Sequence, residues 1–298
     1  MAQEKLHGVI VPVITPVDHQ ENVDETAFRT VLRRLIDAGV HGIFVGGSAG
    51  EGPLLADRQW RRMAEIACDE VGGRIPLLGG AIDTSTRKVC EKITALKDIG
   101  YRYFVVTPTF YTAIKTPQEH LRLFGRARNA GADMEMLPYN IPQCTGSALS
   151  VDTMCEMARR GWVRYCKESS GDWAYLSELI PRGKDCGLTV LAGDELTSGK
   201  ALLAGARGIV PVCANFEPST YVQLYDAGTQ GNRDRVAQVM IRVEELRQQL
   251  LFSGPCWLTG IKYALSALGI GNGLPLSPLE PIDEQRKMLI DELIRAAE

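Results

Sequence analysis

Residues 9–46, VIVPVITPVDHQENVDETAFRTVLRRLIDAGVHGIFVG, carry the pattern that decides the fold. The stretch begins and ends with short apolar runs, Val9–Val13 and Gly42–Gly46, which have the length of buried strands. Between them, apolar residues recur at three- and four-residue spacing from Phe28 onwards, and Gly39 follows as a typical C′ residue of a helix. The stretch therefore predicts one strand–helix–strand unit.

The same unit recurs along the whole chain. Eight apolar runs alternate with helical patterns, and such alternation requires parallel strands with right-handed crossovers. Eight units are the number that closes a barrel, so we predict an α/β fold of the (β/α)8 TIM-barrel class, with an open, doubly wound sheet as the alternative. The other six runs are Ile75–Gly79, Tyr103–Thr107, Met134–Asn140, Val163–Glu168, Leu188–Asp194 and Gly208–Val212.

The pattern becomes purely helical after the eighth run, with a loop rich in Gly and Pro before the last helix. We predict a barrel over residues 1–225 and a C-terminal helical extension over residues 226–298 that packs on it. The apolar faces of these helices equally suit contacts between subunits. The predicted helices are about Arg233–Leu251, Leu258–Leu268 and Glu284–Ala297.

Composition and charge exclude several classes of protein. A formal net charge of -3, with no basic run longer than two residues, argues against nucleic-acid binding. Neither an apolar leader nor an apolar stretch of about 18 residues occurs, so we predict a cytoplasmic protein without membrane contact. The eight cysteines lack a C-x-x-C pair and the four histidines lack zinc-site spacing. We therefore expect reduced cysteines, no metal and no cofactor.

Polar residues stand at the ends of all eight predicted strands. In a parallel barrel the C-terminal ends of the strands face one shared pocket, whereas the apolar bodies of the strands fill the barrel. The sequence therefore predicts a polar site above a dry core. The residues at these ends are Thr15, Ser48, Asp83, Thr107, Tyr139, Asn140, Lys167, Asp194, Glu195 and Asn215.

Lys167 is the candidate nucleophile, because it closes the run VRYCKE and shares the side-chain parity of Val163 and Tyr165. A buried amine loses its hydration, which lowers its pKa, in favourable cases by about 3 to 5 units, and the free amine attacks carbonyl groups. The alternative is a lysine whose head reaches solvent. Tyr139 ends the preceding strand and could carry a substrate proton if its phenol were linked to another hydroxyl, such as that of Ser48. Alternatively, Tyr139 is a core residue with its hydroxyl at the rim.

The segment GGSAGEG, Gly46–Gly52, is a candidate anion site. We expect it to follow the second strand and to open the second helix, where glycines admit an anion and N–H groups favour negative charge. A substrate carboxylate would fit there. The segment matches neither the dinucleotide-binding G-x-G-x-x-G pattern nor the phosphate-binding loop, and a simple tight turn is the alternative.

Taken together and in order, GGSAGEG, PYNIPQCTG, CKESSGD and AGDE resemble the motifs of the N-acetylneuraminate lyase and dihydrodipicolinate synthase superfamily over nearly the whole chain. The resemblance implies a Schiff base between Lys167 and the keto group of pyruvate or a longer 2-keto acid. It implies that Tyr139 shuttles the proton of the aldol hydroxyl and that Ser48 completes the relay. The N–H groups of Ser48 and Ala49 would hold the carboxylate, and Ser169 would present a hydroxyl to the substrate. Members are commonly homotetramers.

Three positions depart from the synthase pattern. Cys144 stands where the synthase has an arginine that clamps the second substrate's carboxylate, and a cysteine makes no bidentate charged contact. Ala49 replaces the second hydroxyl of the glycine-rich loop. The family's second tyrosine, which comes from a neighbouring subunit, falls at Phe110, with Tyr111 one residue later. Either the loop shifts so that Tyr111 serves, or the relay differs.

Asp194 and Glu195 match an acidic pair with which the sugar-acid lyases of this superfamily bond substrate hydroxyls. Alternatively, the two residues cap the following helix. We therefore expect a class I lyase that acts on a small-molecule 2-keto acid, such as a 2-keto-3-deoxy sugar acid, and releases or takes up an aldehyde. The alternatives are a 4-hydroxy-tetrahydrodipicolinate (dihydrodipicolinate) synthase, a dehydratase of such acids, and a non-catalytic 2-keto acid sensor. A sensor would need neither Lys167 nor Tyr139.

Overall fold

The chain forms a closed barrel of eight parallel strands in the computed structural model, which describes residues 6–251 and 257–295. Each strand pairs with the next one along the chain, and the eighth pairs with the first. The predicted TIM barrel is thus confirmed, and the open-sheet alternative is wrong. The strands are β1 Gly8–Pro12, β2 Gly42–Val45, β3 Leu77–Gly80, β4 Tyr103–Val106, β5 Glu135–Asn140, β6 Tyr165–Glu168, β7 Thr189–Ala192 and β8 Gly208–Ile209.

Helices surround the barrel and extend it at the C-terminus. No helix within the described ranges is both long and apolar enough to cross a membrane. The helices are α1 Glu25–Asp37, α2 Asp57–Val71, α3 Thr86–Ile99, α4 Pro117–Ala130, α5 Pro142–Thr145, α6 Val151–Arg159, α7 Trp173–Asp185, α8 Ser198–Leu203, α9 Pro218–Thr229, α10 Arg233–Leu251, α11 Thr259–Ala267 and α12 Glu284–Arg295.

Local sequence signals fix where these helices begin and end. The Asp24 side chain accepts a hydrogen bond from the Ala27 N–H at the start of α1. Gly39 follows α1 with a φ of 77°, which confirms the predicted C′ glycine. At the start of α4, Thr116 and Glu119 form a reciprocal capping box.

Buried apolar side chains form two separate cores. The inner core fills the barrel and includes Phe44, Leu137, Tyr165 and Leu191, whereas the outer core lies between the strands and the helices. We predicted that Lys167 shares the parity of Val163 and Tyr165; Tyr165 packs in the inner core, but Val163 precedes β6 and packs in the outer core. The site therefore lies directly above the buried apolar side chains of the inner core.

Several boundaries differ from the prediction. The eighth strand ends at Ile209 instead of Val212, since Pro211 has no N–H for a strand ladder. The predicted boundary between residues 225 and 226 falls inside α9. The predicted helix end at Ala297, like Cys256, lies outside the described residues.

The glycine-rich segment Gly46–Gly52 does not open a helix, which is a further correction. It folds into successive turns, with hydrogen bonds from Glu51 N to Ser48 O (3.1 Å) and from Gly52 N to Gly47 O (3.1 Å), and α2 begins only at Asp57. Glu51 has a φ of 52°, in the left-handed region that interrupts a right-handed helix.

A buried ion pair ties the C-terminal extension to this segment. The Glu51 carboxylate contacts Lys262 Nζ on α11, and both residues are 2% exposed. Glu51 Oε1 also accepts a hydrogen bond from Leu276 N (2.8 Å), and Lys262 Nζ donates one to Leu274 O (3.0 Å). The turn that follows β2 is therefore held from two places in the last part of the chain.

Candidate active site

Lys167 and Tyr139 lie side by side at the C-terminal ends of β6 and β5. The two residues are register partners in the parallel ladder. Lys167 Nζ is 4.0 Å from the centroid of the Tyr139 ring and 5.1 Å from that of Phe44. Lys167 is 5% exposed and Tyr139 is 3% exposed. The lysine head therefore stays among aromatic rings and does not reach solvent.

Burial lowers the pKa of Lys167 to about 7. Loss of hydration is the largest cause, because it disfavours the ammonium form, and the negative charges that Cys144 and Glu195 can carry oppose it only in part. No described carboxylate lies within ion-pair distance of Nζ. A substantial fraction of the amine is therefore uncharged and nucleophilic at neutral pH.

Burial raises the pKa of the Tyr139 phenol well above its ordinary value, and the hydroxyls of Ser169 and Ser48 offset only part of this increase. The phenol therefore stays protonated at neutral pH. Ser169 Oγ is buried and forms no well-aligned hydrogen bond within the described part of the chain, although it lies near the phenol. The expected group of Lys167, Tyr139, Ser48 and Ser169 is thus brought together.

Gly193, which follows β7, leaves room for the lysine. A Cβ at this position would lie 2.7 Å from Lys167 Cε and 2.0 Å from Ser169 Oγ, closer than side chains tolerate. The absence of a side chain at 193 therefore determines where Lys167 and Ser169 can lie.

We expect Gly193→Ala to lower kcat/KM by about 10²-fold, since a displacement near 1 Å at reacting atoms has an effect of that size. Steady-state kinetics with thermal melting would test this. Gly125→Ala, on α4 against Trp162, is the control and should leave kcat/KM unchanged. Wild-type kinetics in Gly193→Ala would show that the site tolerates the added methyl group.

The turn after β2 supplies two neighbouring backbone donors. The N–H groups of Ser48 and Ala49 have no hydrogen-bond partner among the described residues. The Ser48 hydroxyl approaches both Tyr139 and Cys144, which places this turn beside the lysine. Two adjacent free N–H groups form a concave donor site of the kind that binds anions.

A cavity of about 420 Å³ opens next to these groups. Its polar lining includes Ser48, Cys144 and Thr107, which directly follows β4. Thr107 Oγ1 is buried and has no hydrogen-bond partner within the described ranges. Thr107 therefore joins the candidate binding residues, a role that its strand-end position alone did not single out.

Asp194 and Glu195 do not line this cavity. Asp194 Oδ1 accepts a hydrogen bond from Thr197 N (3.0 Å), and its carbonyl accepts one from Ser198 Oγ (2.8 Å), so Asp194 holds the turn that leads into α8, whose N-cap is Thr197. Glu195 Oε1 accepts from Cys213 N (2.9 Å), and burial raises the pKa of this carboxyl. Both acidic side chains are thus bonded to nearby parts of the chain, although neither is the N-cap of α8.

Phe110 and Tyr111 have different surroundings. Phe110 lines the cavity, whereas Tyr111 is 97% exposed and has a φ of 73°. Within one chain the structure therefore does not bring Tyr111 to Tyr139. Cys144 faces the cavity, and burial raises the pKa of its thiol.

Not every strand-end residue belongs to the site. Thr15 Oγ1 donates to Gly50 O (2.7 Å), Asn215 Nδ2 donates to Pro12 O (3.0 Å), and Asp83 pairs with Lys92 on α3 (3.0 Å). These three side chains bind neighbouring parts of the chain and have structural roles.

Asn140 and Glu168 are bonded to each other beside the site, a contact that was not predicted from the sequence. Asn140 Nδ2 donates to Glu168 Oε2 (2.6 Å), and Glu168 Oε1 accepts from Ser170 N (2.6 Å). Asn140 and Glu168 are register partners that directly follow Tyr139 and Lys167. Their polar side chains next to the two candidate residues were the available signal.

The chain is similar to known proteins over nearly its whole length. The model of the dihydrodipicolinate synthetase family matches residues 5–297. An uncharacterized DapA-like lyase from Halobacterium salinarum is 33% identical over 288 residues, which cover 96% of this chain and 92% of the relative. The 4-hydroxy-tetrahydrodipicolinate synthase of Methanopyrus kandleri is 30% identical, with 96% and 94% covered.

Solved structures give the same result. YagE from E. coli K12, a member of the dihydrodipicolinic acid synthase family whose structure is in complex with pyruvate, superposes with a TM-score of 0.91 at 26% identity and covers 98% of both chains. A dihydrodipicolinate synthase from Bacteroides thetaiotaomicron superposes with a TM-score of 0.92 at 25% identity, again covering 98% of each chain. The barrel, its site and these relatives lead to one conclusion: the chain belongs to the dihydrodipicolinate synthetase family and is a lyase.

Proposed function

We propose that the protein is a class I aldolase that forms an imine between Lys167 Nζ and the keto carbon of a 2-keto acid. The observation that carries the proposal is the buried amine of Lys167, whose pKa is about 7 and which lies 4.0 Å from the centroid of the Tyr139 ring. A desolvated, partly uncharged lysine is the nucleophile that this chemistry requires.

The turn after β2 would bind the carboxylate of the keto acid. Its two unpartnered N–H groups, at Ser48 and Ala49, supply donors for one or both oxygens. The hydroxyls of Thr107 and Ser169 have no well-formed bonds within the described ranges, so they are available to a ligand without breaking existing contacts. Carboxylate and keto group would thus be fixed together.

The cleavage step follows from the imine. The Lys167 amine adds to C2, and water leaves as the iminium forms. The C4 hydroxyl loses its proton, the C3–C4 electron pair moves towards the iminium to give an enamine, and the aldehyde departs. Protonation of C3 and hydrolysis then release pyruvate and the free amine. Condensation is the same sequence in reverse.

Tyr139 would carry the proton of the C4 hydroxyl. Because burial raises the pKa of the phenol, Tyr139 starts protonated, and with Ser48 in the relay it would give its proton to the hydroxide that leaves C2 as water when the iminium forms. The resulting phenolate would take the proton of the C4 hydroxyl as the aldehyde departs and then pass it to C3 of the enamine. The iminium cation forms beside its ring and favours transient negative charge on the phenol oxygen.

The identity of the aldehyde separates the alternatives. A 2-keto-3-deoxy sugar acid stays the prediction from the sequence, but Asp194, on which it partly depends, bonds the turn before α8. The 4-hydroxy-tetrahydrodipicolinate synthase reaction would need a partner for a second carboxylate, and Cys144 supplies no positive charge. Dehydration of the imine uses the same residues. The homotetramer also stays a prediction, for which the almost complete exposure of Tyr111 in the single chain is the support.

Reductive trapping tests the proposal. Incubation with pyruvate and cyanoborohydride should add one reduced pyruvyl group to the peptide that contains Lys167. The initial trapping rate should rise as the pH increases through about 7 and then level off, because the free amine replaces the ammonium over that range. Mass spectrometry of a tryptic digest gives both readouts. Modification of another lysine, or a rate that falls with rising pH, would contradict the assignment.

A further inference from the structure

The wall of the cavity is mostly apolar. Eight of its thirteen lining residues are apolar, among them Leu54, Ile82, Phe110, Ile141, Trp257 and Leu279. The walls come from the loops after β2, β3, β4 and β5 and from the C-terminal extension. The volume of about 420 Å³ lies within the ordinary range of small-molecule sites, roughly 300 to 1,000 Å³.

Two of the five polar lining residues, Ser48 and Cys144, lie towards Lys167, which does not itself line the cavity. Ser48 approaches Tyr139, and Cys144 is close enough to Lys167 to interact electrostatically with it. These groups are suited to the keto acid and to the hydroxyl formed at C4. They leave the remainder of the aldehyde to the apolar wall.

Of the three other polar lining residues, Thr107 has an unpartnered hydroxyl, whereas Glu51 and Thr145 are already occupied. Glu51 pairs with Lys262 and accepts from Leu276 N, so its carboxylate is not available to a ligand. Thr145 Oγ1 lies within hydrogen-bond distance of Ile141 O (3.2 Å) and Ser147 O (2.9 Å) and accepts from Ser147 N (3.3 Å). The hydroxyls of a sugar chain would find few partners on this wall, and burying a hydroxyl without a partner is unfavourable.

Charge leads to the same conclusion. No Arg, Lys or His side chain of the described residues lines the cavity, and its one acid is neutralised by a buried lysine. A second carboxylate on the aldehyde would therefore be buried without a cation, which is unfavourable. At the mouth, Leu54 and Trp257 are 46% and 39% exposed, so an apolar ligand would remove hydrophobic surface from water.

We propose that the aldehyde partner of this enzyme has an uncharged apolar body, either an aryl or a branched alkyl group, which packs against Leu54, Ile82, Trp257 and Leu279. The inference rests on the proposed imine chemistry at Lys167 and names the class of aldehyde that the same site accepts. Polyhydroxylated aldehydes and aldehydes with a carboxylate are disfavoured by this wall.

Condensation kinetics test the inference. Full-length enzyme would be assayed with pyruvate and each of four aldehydes: benzaldehyde, 3-methylbutanal, erythrose and aspartate semialdehyde. We expect kcat/KM for the two apolar aldehydes to exceed that for the two polar ones by about tenfold or more, the scale of discrimination that hydrophobic pockets reach. In Leu54→Asn, the ratio of benzaldehyde to erythrose kcat/KM should fall about tenfold. Comparing ratios removes differences in intrinsic aldehyde reactivity.

The control is Leu289→Asn, which changes a leucine of matched exposure (44%) on α12 outside the cavity and should keep the wild-type ratio. Trp257→Gln is the second test variant if Leu54→Asn does not fold.

Preference of the wild type for erythrose or aspartate semialdehyde, or no condensation with either apolar aldehyde, would overturn the inference. An unchanged ratio in the folded test variants would also overturn the inference. If size-exclusion chromatography showed in addition that these variants dissociate, the wall would be a subunit contact. Successful pyruvate trapping at Lys167 together with any of these results rejects the aldehyde class alone. Failed trapping rejects the proposed function.

Discussion

Lys167→Met is expected to abolish turnover while leaving the fold intact. Methionine has a similar shape but no nucleophile, and loss of a covalent nucleophile costs on the order of 10⁶-fold in kcat. The melting temperature should stay the same or rise, because the buried amine is disfavoured by its loss of hydration and a thioether is not. Pyruvate release and calorimetry on the same preparation would measure both effects.

A matched variant separates chemistry from packing. Lys92→Met removes a buried lysine that pairs with Asp83, outside the candidate site. We expect Lys92→Met to melt earlier and to retain kcat, the opposite of Lys167→Met. Residual turnover in Lys167→Met near the wild-type rate would rule out imine catalysis at this residue.

Lys262→Met should give the largest loss of stability that we predict. It leaves the Glu51 carboxylate buried without its cation, and breaking a buried pair in this way costs about 3 to 5 kcal/mol. Because Glu51 belongs to the turn that carries Ser48 and Ala49, we also expect a higher KM for pyruvate. Denaturant unfolding and steady-state kinetics would measure the two effects.

Two further variants establish the cause. Adding Glu51→Gln to Lys262→Met removes the unpaired charge, so a substantial part of the lost stability should return. Arg61→Met disrupts the exposed pair with Glu65 on α2, where we expect a change of at most about 1 kcal/mol. If Lys262→Met were no more destabilising than Arg61→Met, the buried pair would not hold the turn.

The sequence predicted the features that depend on periodicity. Eight alternating units specify the barrel, and the inward parity of Tyr165 and Lys167 predicts a desolvated amine, which agrees with the direction of the pKa change. The register of β5 and β6 then places Tyr139 beside the lysine. These relations repeat along the chain and can therefore be read from it.

Contacts between segments that are far apart in the sequence could not be predicted from periodicity. Nothing near GGSAGEG indicates that Glu51 pairs with Lys262, because the contact depends on how the C-terminal helices pack. The apolar wall draws on Trp257 and Leu279 for the same reason. Whether the acidic pair of AGDE bonds the following residues or a ligand depends on the backbone direction after β7. The Asp194 contacts follow from that direction, which the sequence pattern does not specify.

The buried pair of Glu51 and Lys262 also bears on the order in which parts of the chain fold during synthesis. A nascent chain that has emerged through residue 251 contains all eight strands, so the barrel can close at that stage. It still lacks Lys262, and the Glu51 carboxylate cannot be buried at low cost until that cation arrives. The turn that would bind the keto acid is thus held in place only after the barrel strands have been made, so a chain truncated before residue 262 is expected to leave Glu51 without its cation and this turn unanchored.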